Sequence, residues 1–78
     1  MQDCSAAIEN ALIAIRSLGL DAVWIGAYPI DARMRNVSEV LGLPEGVVAL
    51  ATISLGHPAE DKPPAERFNE AFVHHDRW

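Results

Sequence analysis

Apolar positions recur at helical spacing along the start of the chain. Between Cys4 and Leu18, the residues Ala7, Ile8, Ala11, Leu12, Ala14, Ile15 and Leu18 fall in one broad arc. One edge of that arc carries isoleucine and leucine, and the other carries alanine, which lets a second element come close. Asp3 or Ser5 is placed to cap the N-terminus, and Gly19 to end the helix in the left-handed conformation. The opposite arc holds Ser5, Glu9, Asn10, Arg16 and Ser17, with Ala6 and Ile13 among them. Two readings fit Ile13: part of a second contact surface, or one exposed apolar residue of the ordinary kind.

The period then changes. Ala22–Ala27 predicts a first strand, and the consecutive bulky residues Val23, Trp24 and Ile25 predict cover on both of its faces. Pro29 cannot continue a ladder, so Asp31 is expected to cap a second helix over Ala32–Leu41, with Met34, Val37 and Leu41 on one face. Gly42 ends that helix, Pro44 prevents its resumption, and Leu43–Gly46 is a turn. Val47–Leu55 is almost wholly apolar and predicts a second strand, central in its sheet and buried on both sides. Strand, helix and strand in this order predict a right-handed crossover and parallel pairing. Two strands do not make a stable sheet, so the chain lacks strands that a compact fold would need.

After Gly56 the periodicity is lost. Residues 57–78 hold Pro58, Pro63, Pro64 and scattered charge, yet also Phe68, Phe72, Val73 and Trp78. A structureless stretch of this length is unusual inside a compact domain. The aromatic residues favour an extended arm lying on another subunit over a disordered tail.

Composition narrows the partners. Seventy-eight residues, half of them hydrophobic, make at most one domain, and a chain this short needs stabilising help. Cys4 is the only cysteine, which excludes an intrachain disulfide and reads as a small packed residue. No Cys/His cluster has zinc spacing, and His57 and the adjacent His74 and His75 do not make a metal site. Assembly with other chains is the remaining source of stability. A net charge of −5 argues against a nucleic-acid partner. The longest apolar runs, such as Val47–Ile53, are far too short to cross a bilayer. Met1-Gln2-Asp3-Cys4 has no signal-peptide pattern, so the expected compartment is the cytoplasm. There is no catalytic acid–base motif. The residue pattern with chemical potential is the end of the first strand, where Gly26 and Ala27 leave room for a flat ligand to approach the backbone.

The ordered series of features resembles a known family. Gln2–Ala7 begins a helix with Asn10-Ala11-Leu12 in its middle, and Gly19–Gly26 follows. Then come Val40–Pro44, the apolar strand, Gly56-His57-Pro58, Lys62-Pro63-Pro64 and Arg67. Along essentially its whole length the chain resembles the C-terminal half of the FMN-dependent nitroreductases, especially their short members. That resemblance implies a partial nitroreductase-like α+β fold over residues 1–78: helix–strand–helix–strand, then an extended arm over 57–78.

The family's full-length members are about twice this long and form homodimers with FMN in the dimer interface. Their arginine- and serine-rich opening, which grips the FMN phosphate and ribityl chain, has no counterpart here. The resemblance therefore implies an NAD(P)H oxidoreductase of the nitroreductase type, present as a C-terminal fragment with an incomplete FMN site. It also implies a homo-oligomer or a complementary N-terminal half as partner. The alternative is a non-catalytic oligomerising fragment or interaction module with weak or no flavin binding. Residue by residue, the resemblance places Trp24, Ile25, Gly26 and Ala27 against the isoalloxazine ring, with a backbone N–H toward flavin N5. It places Gly56 beside the pocket, and Arg67 and then Lys62 on the phosphate. An arginine suits a phosphate because its fork is planar and bidentate. The plain readings stand beside these: Gly26 as a strand terminator, and Lys62 and Arg67 as solvated charges.

Overall fold

The computed structural model describes all 78 residues. Helix α1 spans Gln2–Ser17, strand β1 Asp21–Gly26, helix α2 Asp31–Leu41 and strand β2 Ala51–Gly56; a short 3-10 turn covers Glu70–Phe72. The order is the expected helix–strand–helix–strand of an α+β fold.

Both helices end where the glycines place the end. Gly19 has φ of 77° and Gly42 φ of 63°. At the end of α1, Gly19 N–H donates to Arg16 O at 3.1 Å and Leu20 N–H to Ile15 O at 3.2 Å. These two bonds satisfy carbonyls that a helix end would otherwise leave unpaired, and only a left-handed residue between them closes the loop. Replacing either glycine with alanine is expected to cost about 1–2 kcal/mol, read as a lower thermal midpoint.

The helix starts differ from expectation. Met1, not Asp3 or Ser5, is the cap of α1, and no side chain caps it. Ser5 instead donates its hydroxyl back to Met1 O at 3.2 Å. Asp31 is the first residue of α2 and Ile30 its cap. In both cases the acid sits inside the first turn, where its charge still opposes the helix dipole without a capping bond.

The pairing of the strands overturns the parallel expectation. β1 and β2 are antiparallel, in register from Asp21 opposite Gly56 to Gly26 opposite Ala51. The reason lies in residues 43–50. They carry no strand of their own and bring the chain back to the end of β1 that it left. Ala27 N–H and Tyr28 N–H both donate to Leu50 O, at 2.9 and 3.0 Å. Helix α2 therefore makes an excursion from one end of the sheet and not a crossover to the other. Val47–Leu50, expected as part of β2, stay outside the ladder because no neighbouring strand pairs with them.

One face of this ribbon is packed. Ala22, Gly26, Ala51 and Ile53 are half-buried and share a face with Trp24, and Ser5, Ile8, Ala11, Leu12 and Ile15 are the half-buried positions of α1. The other face leaves Val23, Ile25, Thr52 and Ser54 exposed, so the cover expected on both faces of β1, and the burial expected of β2, are not supplied by this chain. Only Ala27 and Ala49 are buried. Cys4 is exposed, against its expected packing: it lies in the helical arc of Ile8, Ala11 and Ile15, but no other part of the chain covers it there.

Residues 57–78 are exposed throughout, with Phe68 at 79%, Phe72 at 81% and Trp78 fully so. The accessible surface is 7015 Å². A compact monomer of 8.5 kDa exposes roughly 4,700 Å². The radius of gyration is 16.8 Å, against roughly 11.5 Å for a compact domain of this length. The chain carries far more surface than a self-contained domain.

Candidate functional site

The two buried alanines mark the corner where β1 ends, α2 begins and residues 49–50 return. Gly26 and Ala27 sit at this corner. An antiparallel ladder alternates, so each residue that bonds its partner strand is flanked by residues whose N–H and C=O point the other way. Ala27 N–H is committed to Leu50 O at 2.9 Å. Gly26 is the next residue in that alternation, and its N–H and C=O point to the free edge of β1. Among the four strand-end candidates, Trp24 and Gly26 thus present amides away from β2, while those of Ile25 and Ala27 face it.

Gly26 has no left-handed φ, and a Cβ built on it meets nothing within 4 Å. Neither backbone geometry nor packing within the chain requires a glycine there. The same holds for Gly56. These two differ from Gly19 and Gly42, whose positive φ explains them.

The structure adds a residue that the sequence pattern did not reveal. Arg33, in the first turn of α2, donates from Nη1 to Gly26 O at 3.2 Å. An open groove of about 240 Å³ runs beside this contact, lined by Ile25, Gly26, Ala27, Arg33, Asn36 and Thr52 among others. Nothing in the sequence marks Arg33 apart from its neighbour Arg35, because its partner is a backbone carbonyl seven residues earlier.

Gly56 lies at the other end of the ribbon, opposite Asp21. Five strand residues separate it from the level of Gly26, ~17 Å at the usual rise. Lys62 is near Gly56, on the wall of a second open groove that includes Asp21, His57 and Glu60. Its ammonium is paired with Glu60 at 3.2 Å. The start of the tail is tied to α1 through Arg16, which contacts Asp21 at 2.9 Å and Asp61 at 3.6 Å. These pairs are exposed and contribute little to stability. Arg67 is exposed and makes no ion pair. The seven candidates therefore divide into a corner at Trp24–Ala27 and a separate end with Gly56 and Lys62, and Arg67 lies on the exposed segment beyond. No group of His, Cys, Asp and Glu side chains could hold a metal ion. No helix is long and apolar enough to cross a membrane.

Comparison with known proteins identifies the class. The sequence pattern of the nitroreductase family matches residues 1–57, and the chain belongs to that family. A "Putative NADH dehydrogenase/NAD(P)H nitroreductase" of Archaeoglobus fulgidus is 46% identical over the whole chain, which covers 47% of that relative. A protein of the same name from Methanothermobacter thermautotrophicus is 40% identical over the whole chain, which covers 41% of it. Among solved structures, a Bacteroides thetaiotaomicron protein of that name superposes with a TM-score of 0.94 at 40% identity. That match covers 99% of this chain and 46% of the solved one. The chain spans about half the length of the relatives it matches.

Proposed function

We propose that this chain forms one wall of an FMN site in an NAD(P)H oxidoreductase of the nitroreductase type, with the rest of the site coming from residues beyond these 78. The observation that carries the proposal is Gly26: a strand-end glycine with its N–H on a free edge and open space where a side chain would be. A flat ring can lie against that backbone, and the N–H can donate to a ring nitrogen. The names of two further relatives support the ligand: an "NADPH-flavin oxidoreductase" of Vibrio harveyi, 35% identical, and an "FMN reductase (NADPH)" of Bacillus subtilis, 34% identical.

FMN suits the arrangement because it has a flat head and a phosphate tail. When bound, flavin accepts a hydride from NAD(P)H and passes electrons to a second substrate, and the protein's part is to hold and orient it. Gly26 supplies the ring contact, with Trp24, Ile25 and Ala27 as its surroundings. Arg67 is the first choice for the phosphate because it is uncommitted, and Lys62 the second because Glu60 competes for it. Gly56 keeps that end open. The absence of an acid–base motif fits a reaction whose chemistry belongs to the cofactor.

One observation favours the alternative, a non-catalytic assembly module: the chain exposes most of its apolar residues. Titrating FMN with the protein at high concentration and following flavin fluorescence separates the two. Saturable quenching is the expected result; its absence removes the flavin reading for this chain. Arg67→Gln should then raise the dissociation constant about tenfold, and Lys62→Gln about threefold or less. Equal effects would reject that ranking.

A further inference from the structure

We propose that Arg33 is a positioning residue: its guanidinium holds the Gly26–Ala27 peptide, and with it the course of the backbone where it leaves β1 beside the Gly26 N–H. The consequence for flavin rests on the function proposed above; the backbone statement does not.

Glycine has the widest backbone freedom of any residue, and at the end of an unpaired strand edge nothing intrinsic fixes it. The peptide that follows Gly26 is held at both ends. Its N–H, on Ala27, is bound to Leu50 O at 2.9 Å, and its C=O, on Gly26, accepts from Arg33 Nη1 at 3.2 Å. Together these two bonds fix the rotation about the Cα–C bond of Gly26 and so the path by which the chain leaves β1, while the ladder at Ile25, opposite Thr52, holds the peptide that carries the Gly26 N–H. Remove the guanidinium and the peptide is tethered at one end only.

Arg33 is itself well placed for this task. Ile30 N–H donates to Ala27 O at 2.9 Å and Met34 N–H to Ile30 O at 3.0 Å, so the turn between Gly26 and α2 is closed by its own bonds. That turn brings the third residue of α2 back over the carbonyl it left. Arg33 has no carboxylate partner: the chain's ion pairs belong to Arg16 and Lys62. Its charge is therefore free to strengthen the bond to the carbonyl. Arg35, on the same helix, makes no such contact.

The test uses the full chain and two variants, Arg33→Ala and Arg33→Lys, with amide hydrogen exchange read by NMR. In Arg33→Ala the Ala27 amide should exchange about tenfold faster, while amides in the middle of α1 are unchanged. Arg33→Lys keeps a charged donor of similar reach and should restore most of the protection. An Ala27 exchange rate in Arg33→Ala equal to that of the unmodified chain overturns the proposal. A second arm uses FMN labelled with nitrogen-15. In Arg33→Ala the N5 resonance should move toward that of free FMN and the affinity fall about tenfold. If the unmodified chain binds FMN and neither changes, the ring contact is not set by Arg33, and that part of the proposal falls. If exchange responds but the unmodified chain takes up no FMN, Arg33 still orients the backbone and the flavin function is what fails.

Discussion

Replacing Gly26 with valine is expected to weaken FMN binding by about a hundredfold while leaving the chain folded. The two halves of that expectation have separate causes. Valine is favoured in a strand, the backbone at Gly26 is not left-handed, and its Cβ meets no atom of the chain within 4 Å. Stability should therefore hold or rise slightly. The same Cβ and its two methyl groups fill the space through which a flat ring reaches the N–H. Overpacking a close contact costs roughly 1–3 kcal/mol, which is up to a hundredfold in affinity. Far-ultraviolet circular dichroism checks the fold and fluorescence titration checks the ligand. Unchanged affinity with an unchanged fold would place the flavin contact elsewhere; lost structure would show that Gly26 is needed by the chain itself.

The second large effect concerns assembly. An accessible surface of 7015 Å² exceeds that of a compact chain of this mass by roughly 2,300 Å², more than one partner buries in an ordinary interface. The uncovered groups are specific: Val23 and Ile25 on the bare face of the ribbon, Ile13 on α1, and Phe68, Phe72 and Trp78 beyond the second strand. We propose that residues 57–78 act as an arm that lies on another subunit, as the aromatic residues predict. The thermal midpoint should then rise with protein concentration, because association stabilises by mass action. Deleting Pro64–Trp78 should lower the mass measured by light scattering at the same concentration. A concentration-independent midpoint together with an unchanged mass would remove the arm.

Local signals in the sequence were legible where their cause is local. Gly19 and Gly42 end the helices because a left-handed φ is a property of one residue. The element order followed from periodicity for the same reason. Pairing was not legible. An apolar strand after a helix reads as a crossover, but the direction of return depends on residues 43–50, whose apolar Val47–Leu50 looked like strand and act as the link back to Ala27. Helix starts missed by one or two residues because an acid in the first turn is favourable with or without a capping bond.

The site divided in the same way. The strand-end glycine is visible as a residue type, but which way its N–H points follows only from the ladder. Gly56 sits at the opposite end of the ribbon from Gly26, a separation set by register and not by sequence spacing. Arg33 was hidden because a contact between a side chain and a distant carbonyl leaves no trace in residue spacing.

Gel filtration of the protein at high concentration, monitored at once for protein and for blue-light flavin absorption, tests the central claim most directly. If the chain is one wall of an FMN site completed by other residues, flavin absorption should travel with the assembled species and be absent from any monomer peak. A fully assembled protein that elutes colourless after incubation with excess FMN would contradict it.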